Sequence, residues 1–213
     1  PNDWDTPPWR ALGREAAAAA AADFALGNAG AGLGASAGRL KGGLGSASVR
    51  DGEITLGALA AVNPLGSVVM PGTDCFWTWW LEMAGELGGL GPPRAAPNPE
   101  PEIPQLPRLE AGSTTLAVIA TDAALDRLAA RRLAIMAQDG IARAIRPAHS
   151  PLDGDTVFAL STGARALPGE PGALVRLGAL AADCLARAIM RGVAEADAVA
   201  GLPCWRDLGG NDA

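Results

Sequence analysis

Residues 113–122 read STTLAVIATD and contain the segment that decides the fold class. Residues 115–120 form a short apolar, β-branched run, which predicts a strand buried on both faces. Thr121 or Asp122 is suited to capping a helix, and apolar residues recur at helical spacing over residues 125–136. A strand that leads into an amphipathic helix predicts a protein of the α/β or α+β class.

Further elements are expected on both sides of this segment. Helices are predicted over residues 9–26 and 173–200, and strands over 54–62, 67–70 and 156–160, with a turn at 63–66. The glycine-rich residues 27–45 are predicted to form a loop that belongs to a site rather than to the core. Prolines recur through residues 88–109, which indicates an exposed, extended connector.

Composition limits the possible functions. The chain has 213 residues, 49% of them hydrophobic, and a net charge of −6 without a dense basic run. These values favour a soluble, folded domain and argue against nucleic acid as a partner. No apolar stretch reaches the roughly 18 residues of a membrane span. Three cysteines without CxxC spacing indicate neither a disulfide framework nor a zinc site, so a reducing cytoplasmic location is expected.

Two motifs in the glycine-rich segment match known patterns only weakly. Residues 34–38 read GASAG, a G-x-S-x-G pattern centred on Ser36, with His149 downstream. That nucleophile elbow needs a strand before the serine and a helix after it, whereas loops are predicted on both sides. Residues 30–35 fit a dinucleotide fingerprint, but a helix precedes them. The simpler interpretation is a loop whose backbone N–H groups line a cavity and can stabilise an oxyanion.

Asp153, Gly154 and Asp155 place two carboxylates beside a predicted turn. The sequence leaves three interpretations open: an ordinary Asx turn, a calcium site without its further ligands, or a carboxylate pair that orients and ionises a catalytic group. His149 lies close by in sequence, and a single histidine of this kind is more often structural than a base.

Thr114 occupies the most informative position. The proline-rich connector is followed by residues 112–114, which stand directly before the predicted strand that starts at Thr115. Cleavage before Thr114 would leave an α-amine, whose ordinary pKa is about 7.7–8.0, beside the residue's own hydroxyl. Nucleophile and base would then belong to one residue.

Four ordered blocks resemble the P1 peptidase family (peptidase family S58), a group of self-processing hydrolases. This family includes L-aminopeptidase/D-amidase-esterase, β-peptidyl aminopeptidases and 6-aminohexanoate (nylon) oligomer endohydrolase. The blocks are GAGLGASAGRLKGGLG (30–45), AVNPLG (61–66), STTLAVIATD (113–122) and HSPLDGDTVF (149–158). The resemblance implies a four-layer α/β/β/α sandwich of the DmpA type, similar to N-terminal-nucleophile hydrolases.

The resemblance also implies autocleavage between Ser113 and Thr114, giving pieces 1–113 and 114–213 of one hydrolase domain. Thr114 would be the nucleophile and Asn63 would lie at the oxyanion, while Asp153 and Asp155 would orient and charge-balance Thr114. The family's basic residue falls on Arg39. Gly32, Gly34 and Lys41 would belong to the substrate and oxyanion loop.

The implied substrates are short peptides, including those with D- or β-residues, or linear oligoamides such as 6-aminohexanoate oligomers. The Thr nucleophile with two aspartates is closer to the nylon-oligomer hydrolase than to the β-peptide enzymes. No metal or organic cofactor is implied. Processed heterodimers are expected to form homo-oligomers. Five tryptophans are candidates either for subunit contacts or for a packing role in the core: Trp4, Trp9, Trp77, Trp79 and Trp80.

Three departures from the family pattern support an alternative. Ser113 stands where relatives usually carry Asn or Gly, and Arg39 stands where Lys is common, although a guanidinium cannot shuttle a proton. The family's N-terminal region has no counterpart ahead of Pro1, so that part of the site is expected to be absent or supplied separately. The alternative is an unprocessed, inactive relative that serves as a binding or assembly module.

Overall fold

The structure is a computed structural model that describes residues 6–89, 91–94, 96–98, 100, 112–170, 172–199 and 201–211. Its helices and strands, in chain order, are α1 (Trp9–Ala18), β1 (Ser36–Ala37), β2 (Leu40–Lys41), β3 (Gly43–Asp51), β4 (Ile54–Val62), β5 (Leu116–Ala123), α2 (Arg127–Ala144), β6 (Thr156–Arg165) and α3 (Gly172–Ala194). Within these ranges, no helix has the length and apolar character needed to cross a membrane.

Four strands form one sheet in the order β3-β4-β5-β6. The β3/β4 and β4/β5 pairs are antiparallel, whereas β5 and β6 are parallel and α2 connects them. This arrangement places the C-terminal end of β4 beside the N-terminal ends of β5 and β6, at the same end of the sheet. Strands β1 and β2 form a separate antiparallel pair.

Helices α2 and α3 cover one face of the sheet. Leu133, Ala137 and Ile141 of α2 are fully buried, as is Ile119 at the centre of β5. Along β5 every second residue is buried, which is the pattern of a strand with one covered face. Most of the buried side chains are Ala, Leu, Val or Ile, so the helices approach the sheet closely.

The opposite face of the sheet carries exposed apolar side chains. Leu116 is 47% exposed, Phe158 57% and Leu160 59%, and Leu59 joins them on β4. The prediction that residues 115–120 are buried on both faces is therefore wrong for the described residues. These residues supply one sheet and one helix layer of the expected four-layer sandwich, and the second sheet of such a sandwich would pack on this apolar face.

Several predicted boundaries need correction. The helix predicted over 9–26 ends at Ala18. None of the α1 residues is buried, so no packing against the core supports a longer helix. Asp126, not Thr121 or Asp122, caps α2 by accepting a hydrogen bond from the backbone N–H of Ala129, because β5 continues to Ala123. Strand β6 extends to Arg165 instead of residue 160, and α3 ends at Ala194 instead of residue 200.

Two further predictions differ from the structure, and one falls mostly outside it. Residues 67–70 form isolated bridges, Ser67 with Arg146 and Val69 with Phe76, in place of a strand. The glycine-rich segment was expected to be a loop, but its last part forms the buried start of β3. The predicted connector lies largely outside the described residues, at 90, 95, 99 and 101–109. Strand β4 is confirmed at Ile54–Val62.

The start of β3 is glycine-rich because it meets the backbone of α3. A Cβ atom on Gly45 would lie 1.9 Å from the carbonyl oxygen of Ala188 and 2.5 Å from the amide nitrogen of Gly192. Both contacts are with backbone atoms, which cannot move aside as a flexible side chain would. A side chain at position 45 would therefore separate the sheet from the helix layer.

We predict that Gly45→Ala lowers the free energy of unfolding by about 1–3 kcal/mol, because overpacking forces backbone shifts. Gly57→Ala on β4 is the matched control, since its Cβ would make only an ordinary contact, 3.7 Å from the carbonyl oxygen of Ala47. Urea unfolding of both variants measures the effect. Equal stability of the two variants would contradict this account of the helix–sheet contact.

Candidate active site

The sheet brings three separated segments together. Asn63 follows β4, Thr114 precedes β5, and Asp153 to Asp155 precede β6. Because β4 runs antiparallel to β5, and β5 parallel to β6, the three segments meet at one end of neighbouring strands. An isolated bridge between Ser113 and Asp153 continues the β5/β6 ladder beyond the strands.

The Ser113–Thr114 peptide bond is fixed from several sides. The backbone N–H of Thr114 donates to the carbonyl oxygen of Asn63 at 2.8 Å. The carbonyl oxygen of Ser113 accepts hydrogen bonds from the Thr114 hydroxyl at 2.6 Å and from the backbone N–H of Gly154 at 2.9 Å. The Thr114 hydroxyl thus lies beside the carbonyl group that precedes its own residue.

Gly154 lies directly against the Thr114 side chain. A Cβ atom on Gly154 would come within 2.7 Å of Oγ1 of Thr114, closer than real Cβ atoms approach other heavy atoms. From the sequence, Gly154 is predicted only as part of a turn, and its contact with the Ser113–Thr114 bond is not predicted. Its position between two aspartates was the available signal.

The two aspartates have different surroundings. Asp153 Oδ1 accepts from the backbone N–H of Leu65 at 3.0 Å, and its Oδ2 accepts from the backbone N–H and the hydroxyl of Ser150 at 3.1 and 2.5 Å. Asp153 therefore ties the loop after β4 to the loop before β6. The Asp155 side chain is only 3% exposed, and its Oδ1 accepts from the backbone N–H of Thr115 at 2.8 Å.

The Asn63 side chain links the glycine-rich segment to this cluster. Its Oδ1 accepts a hydrogen bond from the backbone N–H of Ser36 at 2.9 Å. Its Nδ2 lies 3.5 Å from the carbonyl oxygen of Gly112, at the long limit of a hydrogen bond. The amide N–H₂ group thus faces the segment that leads into Thr114.

Lys41 is a fully buried cation in the glycine-rich segment. Its exposed fraction is 0%, and its Nζ donates to the carbonyl oxygens of Gly32 at 2.5 Å and Gly42 at 2.8 Å. In the described ranges no carboxylate lies within ion-pair distance of this ammonium group. Burial lowers the pKa of Lys41 from its ordinary value because the charged form loses hydration.

The residues predicted for the site fall into two groups. The structure brings Asn63, Thr114, Asp153 and Asp155 into one hydrogen-bonded cluster, and Gly32 contacts Lys41. Gly34 and Arg39, by contrast, are exposed members of the glycine-rich segment.

Comparisons with known proteins identify similar sequences. The sequence profile of peptidase family S58 matches residues 4–203. An uncharacterised aminopeptidase of Mycobacterium tuberculosis is 46% identical, over 96% of this chain and 63% of its own length. A 6-aminohexanoate-oligomer endohydrolase of Paenarthrobacter ureafaciens is 31% identical, over 86% of this chain and 55% of its own.

The fold is also found among solved structures. The L-aminopeptidase D-Ala-esterase/amidase of Ochrobactrum anthropi, described as a variant of the Ntn hydrolase fold, matches with a TM-score of 0.57 and 23% identity. The match covers 86% of this chain and 48% of that structure. The α/β class and the likeness to N-terminal-nucleophile hydrolases predicted from the sequence are thus confirmed.

The profile match extends over most of the chain, and the chain therefore belongs to peptidase family S58. It spans less than two thirds of the length of the relatives it matches.

The buried ammonium group of Lys41 makes a testable contribution to stability. Because burial lowers its pKa, the unfolded chain binds the proton more tightly than the folded chain does. We therefore expect the free energy of unfolding of the wild type to rise, relative to that of Lys41→Met, as the pH increases from the lowered pKa toward 10.5. Urea unfolding of both proteins between about pH 7 and 10 measures the difference, and a pH-independent difference would contradict the prediction.

Proposed function

We propose that this chain carries the nucleophile of an autoprocessing N-terminal-threonine amidohydrolase. Its substrates are amide bonds of short peptides, including those with D- or β-residues, or of linear oligoamides such as 6-aminohexanoate oligomers. The observation that carries the proposal is the 2.6 Å contact between the Thr114 hydroxyl and the carbonyl oxygen of Ser113. Membership of family S58, and relatives named as an aminopeptidase and an oligoamide endohydrolase, support it.

Self-cleavage begins when the Thr114 hydroxyl oxygen attacks the carbonyl carbon of Ser113. The C–N bond between the two residues then breaks, an ester forms between Ser113 and Thr114 Oγ1, and the hydroxyl proton ends on the departing nitrogen. Water hydrolyses the ester and leaves a carboxylate on Ser113 and a free α-amine on Thr114. The Gly154 N–H, 2.9 Å from the carbonyl oxygen, is placed to stabilise the oxyanion of the first step.

Substrate hydrolysis reuses the same hydroxyl. The free α-amine of Thr114 accepts the hydroxyl proton while Oγ1 attacks the substrate carbonyl carbon, and the amine then protonates the leaving nitrogen. Water releases the acyl group and restores the hydroxyl. The Asn63 amide is the proposed oxyanion donor, because its Nδ2 faces Gly112, the segment that cleavage disconnects from Thr114.

The roles of the charged residues follow from their positions. We assign charge-balancing of Thr114 to Asp155, which contacts the next residue, and loop anchoring to Asp153, whose oxygens are occupied by Leu65 and Ser150. Lys41 suits the role of the buried basic group better than the exposed Arg39, because a cation away from water acts on developing negative charge with less screening.

The assembly proposed for the processed protein is a cytoplasmic homo-oligomer of heterodimers that takes a peptide or oligoamide substrate. Trp9 and Trp80, 63% and 54% exposed, are candidate subunit contacts, whereas Trp4 lies outside the described residues. Aromatic side chains of this kind are enriched at protein interfaces.

We predict that Thr114→Ala remains a single chain and loses amide hydrolysis, whereas Thr114→Ser, which keeps a hydroxyl, yields pieces 1–113 and 114–213. Denaturing mass spectrometry detects the cleavage. A panel of a chromogenic amino-acid amide, a β-dipeptide and a 6-aminohexanoate oligomer separates the substrate classes by end-on or internal cutting. A wild type that stays at 21.4 kDa and hydrolyses none of them would favour the inactive binding module instead.

We also predict that Gly154→Ala slows self-cleavage at least about tenfold, because its methyl group would displace the Thr114 hydroxyl from the Ser113 carbonyl. Gly169→Ala is the matched control, since a Cβ there meets no atom within 4 Å. The rate of appearance of the two pieces is the measurement. Cleavage of Gly154→Ala at the rate of Gly169→Ala would show that the contact does not position the hydroxyl.

A further inference from the structure

His149 lies beside the second carboxylate oxygen of Asp155. Its Nδ1 lies 3.0 Å from Asp155 Oδ2, and the imidazole is 40% exposed whereas the carboxylate is 3% exposed. Oδ2 accepts no hydrogen bond of good geometry from the described residues. A buried carboxylate oxygen without a partner is costly, so the neighbouring imidazole is the group placed to compensate it.

The backbone holds His149 in this place. Its φ angle is +53°, in the left-handed region that residues other than glycine rarely adopt. The next residue, Ser150, donates to Asp153 through both its backbone N–H and its hydroxyl. An unusual backbone conformation persists only where surrounding contacts enforce it, and the Ser150–Asp153 hydrogen bonds directly follow it in the chain.

We infer that His149 is a positioning residue that acts on Thr114 through Asp155, an inference that rests on the proposed function. The imidazole Nδ1 lies 3.0 Å from Oδ2 on one side of the carboxylate, and on the other side Oδ1 accepts from the backbone N–H of Thr115 at 2.8 Å. That N–H belongs to the residue after the nucleophile. The contacts from His149 through Asp155 to Thr115 therefore restrain the backbone next to Thr114. Asp153 needs no such partner, because Leu65 and Ser150 already occupy its oxygens.

The other charged groups near His149 have different partners. Asp153 is engaged as described above, and the guanidinium carbon of Arg146 lies 5.2 Å from the centre of the Trp77 ring, in a cation–π contact. Self-cleavage would add two charged groups beside this cluster, the α-amine of Thr114 and the carboxylate of Ser113. The Asp155 carboxylate stays on the Thr115 N–H, one residue from that amine, and balances its charge from there.

Two substitutions separate the hydrogen-bond donor from the ring. His149→Asn keeps an N–H donor close to the position of Nδ1, whereas His149→Phe keeps a ring and removes the donor. Because Asn tolerates a positive φ better than Phe does, His149→Gly, which removes the donor without straining the backbone, should behave like His149→Phe. We expect His149→Phe to lower kcat at least about tenfold with little change in KM, and to slow self-cleavage similarly, while His149→Asn retains most of both rates. Leu152→Ala, an exposed change in the same turn, should leave both rates unchanged.

Hydrogen exchange of the Thr115 amide supplies a readout that does not depend on activity. In the uncleaved Thr114→Ala background, His149→Phe should increase exchange of this amide, because Asp155 is no longer held on it, and His149→Asn should not. Equal exchange and rates in the wild type and His149→Phe would overturn the inference, as would equal losses in the Phe and Asn variants. If the wild type neither cleaves nor hydrolyses, the proposed function fails; if only the His149→Phe effect is absent, the inference alone fails.

Discussion

The site depends on the pairing of β5 with β6 beyond the ends of both strands. The Ser113–Asp153 bridge and the hydrogen bond from Gly154 to the Ser113 carbonyl continue the parallel ladder into the two loops. A backbone ladder holds its members more rigidly than side chains on a loop could. The peptide bond before Thr114 is therefore positioned by the sheet itself. A change in the register of β5 and β6 would displace this bond from Gly154.

That register in turn requires small residues between the sheet and the helices. Gly43 and Gly45 at the start of β3 face Gly192 and Ala188 of α3 at distances that exclude any Cβ atom on the strand. Close backbone approach suits a core built mostly from small aliphatic side chains. Lys41 lies two residues before Gly43, at the end of β2, and is itself fully buried.

The sequence predicted the parts of this protein that local chemistry determines. Strand β4 was predicted to the residue, and the cluster of Asn63, Thr114 and the two aspartates came from family blocks that the sheet then brings together. One failure depended on long-range contacts: the glycines of β3 suggested a loop because the helix that needs them lies far along the chain. The different surroundings of Asp153 and Asp155 were equally hidden, since two aspartates two residues apart look alike until Ser150 and Thr115 are placed around them.

The apolar face formed by Leu59, Leu116, Phe158 and Leu160 has a consequence for how the polypeptide behaves in water. Each such side chain buried on a partner surface contributes about 1.5–3 kcal/mol, and each left in water forgoes it. Any species that leaves this face uncovered should bind hydrophobic dyes, adsorb to surfaces and aggregate as its concentration rises. Solubility would then report whether the face is covered, independently of whether any amide bond is cut.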